Sequence, residues 1–272
     1  MTLGVAETDG GYLAYEIGGA GRRVVMLHGG LLNRSQWTAE APALAATGHQ
    51  VAWMDARGHG ESSTQAGPYH PHEDVIALLD HLGWADATLV GLSGGARAAI
   101  DAALEHPERV AAMLLVAPGY SGMELHDPFV TACDAEMARS AGAGDLAGFT
   151  EAFLRAWVDG PMRQPGDVDP AVRLACQEMV AGTLARHAAG GPPEWEEAGA
   201  ADRLGELAMP IEAVIGSLDS TDIAAAVQKI GAEARDARVS VVEGAGHVVN
   251  LDQPAAFGRL LAAFMQRTVL PE

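Results

Sequence analysis

Four short apolar runs punctuate the first 118 residues, and each stops abruptly at a turn. They are Val24–His28 before Gly29-Gly30, Val51–Asp55 before Arg57-Gly58-His59-Gly60, Ala87–Leu92 before Ser93-Gly94-Gly95, and Val110–Ala117 before Pro118-Gly119. Unbroken apolar runs of this length suit strands buried on both faces, as in a parallel sheet. Between them the spacing predicts helices over Trp37–Ala46, Pro71–Leu82 and Ala96–Glu105. In the second of these, Val75, Ile76, Leu78, Leu79 and Leu82 fall on one helical face. Repeated strand–helix–strand units argue an α/β fold with an open sheet. Ahead of them Tyr12–Ile17 alternates, which predicts an antiparallel edge hairpin.

After Gly119 the pattern changes. From 119 to 205 no buried strand is predicted; helices are, over Pro128–Ser140, Leu146–Val158 and Pro170–His187, broken at Gly160-Pro161 and Gly190-Gly191-Pro192-Pro193. Strand patterns then resume at Ile211–Gly216 and Val239–Glu243, followed by a closing helix over Pro254–Arg267. The organisation expected is one α/β core, 1–118 and 206–272, interrupted by a helical insertion at 119–205.

Composition narrows the function. Of 272 residues, 49% are hydrophobic and 19% charged, which is globular composition. Seventeen basic against thirty-six acidic residues leave a net charge of −19, which excludes the clustered Lys and Arg that nucleic acid demands and disfavours an anionic membrane surface. The insertion carries fourteen acidic and six basic residues, so the acidity is shared by both parts. The single lysine, Lys229, has no phosphate-loop motif around it. Cys133 and Cys176 are far apart and are read as free thiols of a reducing compartment. With no signal-like N-terminus and no apolar stretch of about 18 residues, the expectation is a cytoplasmic protein, monomer or homodimer, acting on a small molecule.

The chemistry concentrates at strand ends. Gly91-Leu92-Ser93-Gly94-Gly95 is G-x-S-x-G between a predicted strand and a predicted helix. There a serine is exposed on a strained turn, and the next amide points at the oxyanion that forms when it attacks a carbonyl. A serine nucleophile needs a base. His247, in Gly244-Ala245-Gly246-His247, follows the last strand at the same rim of the sheet as Ser93. Asp219, in Gly216-Ser217-Leu218-Asp219, follows the preceding strand and would orient that imidazole, with Asp222 as the alternative. The order Ser93, Asp219, His247 is the one expected where G-x-S-x-G lies on an α/β sheet. The Gly30 amide, after His28-Gly29, is the candidate second oxyanion donor beside Gly94, with His28 itself read as structural. Of the aromatic residues in the insertion, Trp157 is the candidate for contact with substrate. His70-Pro71-His72-Glu73-Asp74 lacks a further ligand at Val75 or Ile76 and is read as a helix start, not a metal site.

Taken together, these segments and Asp55-Ala56-Arg57-Gly58-His59-Gly60-Glu61-Ser62 resemble an α/β-hydrolase-fold serine hydrolase over nearly the whole chain. The chain is similar to the cofactor-free esterase, lactonase and perhydrolase-like branch. The resemblance implies an eight-stranded, mostly parallel sheet flanked by helices, with 119–205 as a helical cap, no cofactor and no metal. It also implies that Asp55 and Arg57 hold a structural turn. Two departures stand out: Gly94 where many relatives carry a larger residue, and Arg97 where they often have a small apolar one. Arg97 is read as an ion-pairing residue. The activity expected is hydrolysis of a carboxylic ester or lactone of a small, neutral or apolar substrate. Alternatives on the same triad are C–C bond hydrolysis, perhydrolysis, acyl transfer, and cyclase or lyase chemistry; a non-catalytic ligand-binding protein is the alternative of another class.

Overall fold

In the computed structural model, residues 1–64, 67–192 and 194–268 are described. Eight strands form one sheet: β1 (Thr2–Thr8), β2 (Gly11–Gly19), β3 (Arg22–Leu27), β4 (His49–Met54), β6 (Ala87–Leu92), β7 (Val110–Val116), β9 (Ile211–Gly216) and β10 (Ala237–Val242). Their order is β1-β2-β4-β3-β6-β7-β9-β10. Only the β1/β2 and β2/β4 pairings are antiparallel; every later neighbour is parallel. The central strands β6 and β9 are buried at every position, which is why their sequences are predominantly apolar; the buried Glu212 of β9 is paired with Arg267 at 2.6 Å. The chain belongs to the α/β class with an eight-stranded, mostly parallel sheet.

Helices cover both faces. Leu78 and Leu79 of α2 (Pro71–His81), Ile100 of α3 (Gly94–Glu105) and Ile230 of α7 (Thr221–Glu233) pack on one face. Leu44 of α1 (Glu40–Ala45) and Phe257 and Phe264 of α9 (Pro254–Arg267) pack on the other, around the fully buried Trp37. The stretch predicted as one helix from Trp37 is a 3₁₀ turn, Arg34–Trp37, then α1. Helix α7 was not foreseen, although Ser220 caps it by accepting from the Ile223 amide at 3.4 Å.

Between β7 and β9 run α4 (Pro128–Ala143), α5 (Leu146–Leu154) and α6 (Pro170–Gly190). Asp127 and Asp169 cap α4 and α6, each followed by proline at the first helical position, where a missing N–H costs nothing. The expected helix to Val158 ends its α-helical part at Leu154 and continues as a π turn over Arg155–Asp159. A third apolar cluster, with Phe153, Leu154, Cys176 and Val180, joins this segment to Leu32 and Val248 of the core. Both cysteines are free thiols, and Cys176 is completely buried there. A second junction is a short parallel bridge of β5 (Pro68–Tyr69) with β8 (Glu194–Trp195). This two-residue pairing, exposed except at Tyr69, leaves no apolar run in the sequence. Among the described residues no helix is long and apolar enough to cross a membrane.

Candidate active site

Ser93 stands at the junction of β6 and α3 with φ 52° and ψ −109°. A non-glycine residue held there costs of the order of 1–3 kcal/mol, so its surroundings must impose the conformation. They do so from both sides. The Ser93 amide donates to the Val116 carbonyl at 2.9 Å, and the Ser93 carbonyl accepts from the Arg97 amide at 3.0 Å. The flanking glycines are steric necessities. A Cβ on Gly91 would lie 2.5 Å from the Gly95 carbonyl carbon, and one on Gly95 would lie 2.4 Å from the Leu27 carbonyl oxygen. The G-x-S-x-G spacing is therefore the condition for α3 to leave β6 this tightly.

His247 and Asp219 meet. His247 Nδ1 lies 3.0 Å from Asp219 Oδ2 and 3.3 Å from Oδ1, both side chains being almost wholly buried. A neutral His247 carrying its proton on Nδ1 donates it to this carboxylate and keeps the Nε2 lone pair available. Asp219 Oδ1 also accepts from the Ser220 amide at 2.7 Å. Asp222, the alternative, points elsewhere: its carboxylate accepts from the backbone amides of His126 and Asp127 at 2.8–3.0 Å and anchors the approach to α4. Two glycines make the loops fit. A Cβ on Gly216 would strike the Ala245 and Gly246 carbonyls at 2.3 Å; one on Gly246 would strike the Arg163 guanidinium at 2.2 Å.

A cavity of about 190 Å³ is lined by Ser93, His247, Trp157, Gly30, Gly94 and Phe153, among others. The Trp157 ring lies 4.7 Å from the His247 ring, centroid to centroid. Gly94 faces Gly30: a Cβ on Gly94 would come 3.3 Å from the Gly30 nitrogen. Among the described residues neither of these two amides donates a hydrogen bond, so both are available to an oxyanion. All six residues singled out in the sequence thus come together at one end of the sheet.

The loop carrying Gly30 is held from below by residues the sequence did not single out. Leu31 turns it with φ 59°. The Gly29 amide donates to Gln36 Oε1 at 3.0 Å. Gln36 Nε2 donates to Asn250 Oδ1 at 3.3 Å, and Asn250 Nδ2 donates back to the Gln36 carbonyl at 3.1 Å and to Glu40 Oε1 at 3.4 Å. The group is buried, and it ties the Gly30 loop to the short helix α8 (Val249–Asp252) beside His247. Burial pushes the Glu40 carboxyl up from 4.5 to about 7, and its Oε2 has no partner among the described residues. On helix α8, Asp252 Oδ2 accepts from the Gly246 amide at 2.7 Å and from Arg163 at 2.8 Å. Gln36 and Asn250 look like ordinary polar positions in the sequence; only their burial reveals them.

The remaining motif residues have structural partners. His28 accepts from the Ala56 amide at Nε2 (2.9 Å) and donates from Nδ1 to the Gly29 carbonyl (2.8 Å), which occupies both nitrogens. Asp55, fully buried, accepts from the Arg34 and Glu61 amides, and Arg57 binds Asp74 bidentately beneath the Tyr69 ring. Asp74 of the His70–Asp74 run is thus spent on Arg57. Arg97 pairs with Glu197 at 2.7 Å and lies over the Trp195 ring.

A strained serine between compulsory glycines, beside a histidine–carboxylate pair on an eight-stranded α/β sheet, defines the class. A family profile described as the alpha/beta hydrolase fold matches residues 22–254, and the chain belongs to that family. It is 28% identical to 3-oxoadipate enol-lactonase 2 of Acinetobacter baylyi over 224 residues, 80% of this chain and 79% of that protein. It is likewise 28% identical to the pimeloyl-[acyl-carrier protein] methyl ester esterase of Aeromonas hydrophila, over 91% of this chain and 96% of the relative. Among solved structures, a hydrolase from Pseudomonas aeruginosa superposes with a TM-score of 0.77 at 28% identity, covering 97% of this chain and 98% of that one.

Proposed function

We propose that this protein hydrolyses a carboxylic ester or lactone of a small, neutral or apolar substrate. Ser93 attacks the acyl carbon while His247 takes its proton. Asp219 holds the imidazole in the Nδ1–H tautomer and stabilises the imidazolium. The Gly30 and Gly94 amides bind the oxyanion, a contribution of roughly 3–4 kcal/mol per donor in comparable sites. His247 then returns the proton to the leaving alcohol, and water deacylates Ser93 through the same base. Residues 119–205 act as a cap that closes the pocket, with Trp157 against the substrate.

The observation that carries this reading is the shared cavity of Ser93 and His247, the latter already bound to Asp219. The enol-lactonase and methyl ester esterase relatives support the choice of ester and lactone chemistry. Ser93→Ala is expected to abolish cleavage of a short p-nitrophenyl ester and labelling by a fluorophosphonate. Turnover unchanged from the parent protein would sink the proposal.

A further inference from the structure

Arg163, just past the Gly160-Pro161 break in the insertion, binds two separate parts of the site at once. Its Nε donates to the Asp159 carbonyl at 2.9 Å, and its Nη2 donates to the Val158 carbonyl at 2.7 Å. The same Nη2 donates to Asp252 Oδ2 on α8 at 2.8 Å. That carboxylate oxygen also accepts from the Gly246 amide at 2.7 Å, one residue before His247. The Arg163 and Asp252 side chains are only 10% and 4% exposed. The guanidinium fills the space that Gly246 leaves by having no Cβ, since a Cβ there would lie 2.2 Å from Nη2.

Each end of this link adjoins His247. Val158 and Asp159 belong to the π turn that carries Trp157, whose ring lies 4.7 Å from the His247 ring. Gly246 carries His247 itself. The outer side of the π turn is held independently. The fully buried Asp159 carboxylate pairs with Arg155 at 2.9 Å and with Arg173 at 3.1 Å, and Arg173 also binds Glu151 at 2.7 Å. Those partners all belong to the insertion, so they shape the turn without fastening it to the core. Arg163 does the fastening. A planar guanidinium presents its N–H groups as a fixed fork and can meet two carbonyls and a carboxylate together. An ammonium in its place would neutralise Asp252 but could not span all three acceptors.

We infer that Arg163 is a positioning residue for His247: it makes the seating of the insertion and the alignment of the imidazole a single event. It lies outside the cavity of Ser93 and acts through Gly246 on one side and Trp157 on the other. The insertion is then part of the catalytic apparatus and not only its cover. The inference rests on the reading of His247 as the base of a serine hydrolase.

The test compares Arg163→Met and Arg163→Lys with Arg173→Met, which loosens the same π turn from the insertion's side alone. For each protein kcat and KM on p-nitrophenyl butyrate, the rate of fluorophosphonate labelling and the thermal midpoint are measured. The imidazole nitrogen resonances of His247, identified by their loss in His247→Gln, report its tautomer. Arg163→Met should lower kcat and the labelling rate roughly 100-fold, the cost of about 1 Å of misplacement at a reacting group, with a smaller change in KM. Its His247 resonances should leave the Nδ1–H pattern for an average of the two tautomers. Arg163→Lys, which keeps Asp252 paired and guards against a failure of Arg163→Met to fold, should restore kcat only in part. Arg173→Met should lower the thermal midpoint at least as far as Arg163→Lys and leave kcat, labelling and the His247 resonances close to the parent's. Full kcat in Arg163→Lys would reduce Arg163 to a counter-ion of Asp252 and overturn the inference. Equal losses of kcat in Arg163→Lys and Arg173→Met would overturn it too. Should Ser93→Ala retain full esterase activity, the hydrolase reading fails, while the His247 resonances of the Arg163 variants still show whether Arg163 holds the ring.

Discussion

Glu40 allows a stability prediction with its sign and size worked through. Its side chain is in the buried Gln36–Asn250 group, with one oxygen at 3.4 Å from Asn250 Nδ2 and the other unpartnered. Burial is the dominant cause of its shift from 4.5 to about 7. A carboxyl whose folded pKa is raised binds its proton more tightly in the native state. Its contribution is fully present below about 4.5 and is lost as pH rises through about 7. The slope is ~1.4 kcal/mol per pH unit across that window. Over the interval the loss comes to about 3 kcal/mol, a large share of the 5–15 kcal/mol typical of a domain. Glu40→Gln keeps the shape and cannot ionise. Urea unfolding of both proteins at a series of pH values from 4 to 8 measures the difference. The variant should match the parent near pH 4 and exceed it by about 3 kcal/mol near pH 8. Stability curves that stay parallel over the range would refute the assignment. A gap that widens toward acid would show Glu40 to be ionised in the fold.

Three other outcomes are expected. Asp219→Asn should lower kcat on a p-nitrophenyl ester roughly 10³–10⁴-fold by releasing the wrong His247 tautomer, whereas Asp222→Ala should cost about 1–3 kcal/mol of stability and leave kcat within a few-fold; equal effects on kcat would reverse the two roles. Gly95→Ala, whose Cβ would sit 2.4 Å from the Leu27 carbonyl oxygen, should lower the thermal midpoint and abolish fluorophosphonate labelling, and a fully labelled, equally stable variant would contradict the packing described. At low salt, a neutral ester should show higher kcat/KM than its carboxylate-bearing analogue, because Asp101, Glu196 and Glu197 line a cavity of about 650 Å³ next to Gly30 and Gly94, where Arg97 is already paired with Glu197; added salt should narrow the gap, and the opposite preference would refute the electrostatic reading.

Much of the site was legible because its residue types are dictated locally. Gly91, Ser93 and Gly95 follow from a strand-to-helix turn too tight for a Cβ, a constraint within five positions of the chain. The parallel strands were legible because burial on both faces makes β6 and β9 predominantly apolar, the one charge, Glu212, being paired with Arg267. Helix α7 was missed although Ile223, Ala226, Val227 and Ile230 share one buried face behind the Ser220 cap, whereas the short β5–β8 bridge and the break of α5 into a π turn are weakly marked in composition. Arg97 was legible as an ion-pairing residue, but not its partner, Glu197, a hundred residues away.

What the sequence determined by itself was the α/β pattern and the tight strand-to-helix turn that carries Ser93. Short-range sterics and hydrophobic periodicity specify each of these. Only the tertiary structure decided between Asp219 and Asp222, because both follow β9 and differ solely in where their carboxylates point. It alone brought Gln36, Glu40 and Asn250 under the Gly30 loop. A polar side chain looks the same in a sequence whether water or a buried partner satisfies it. Burial supplies the difference, and burial is a property of the folded chain as a whole.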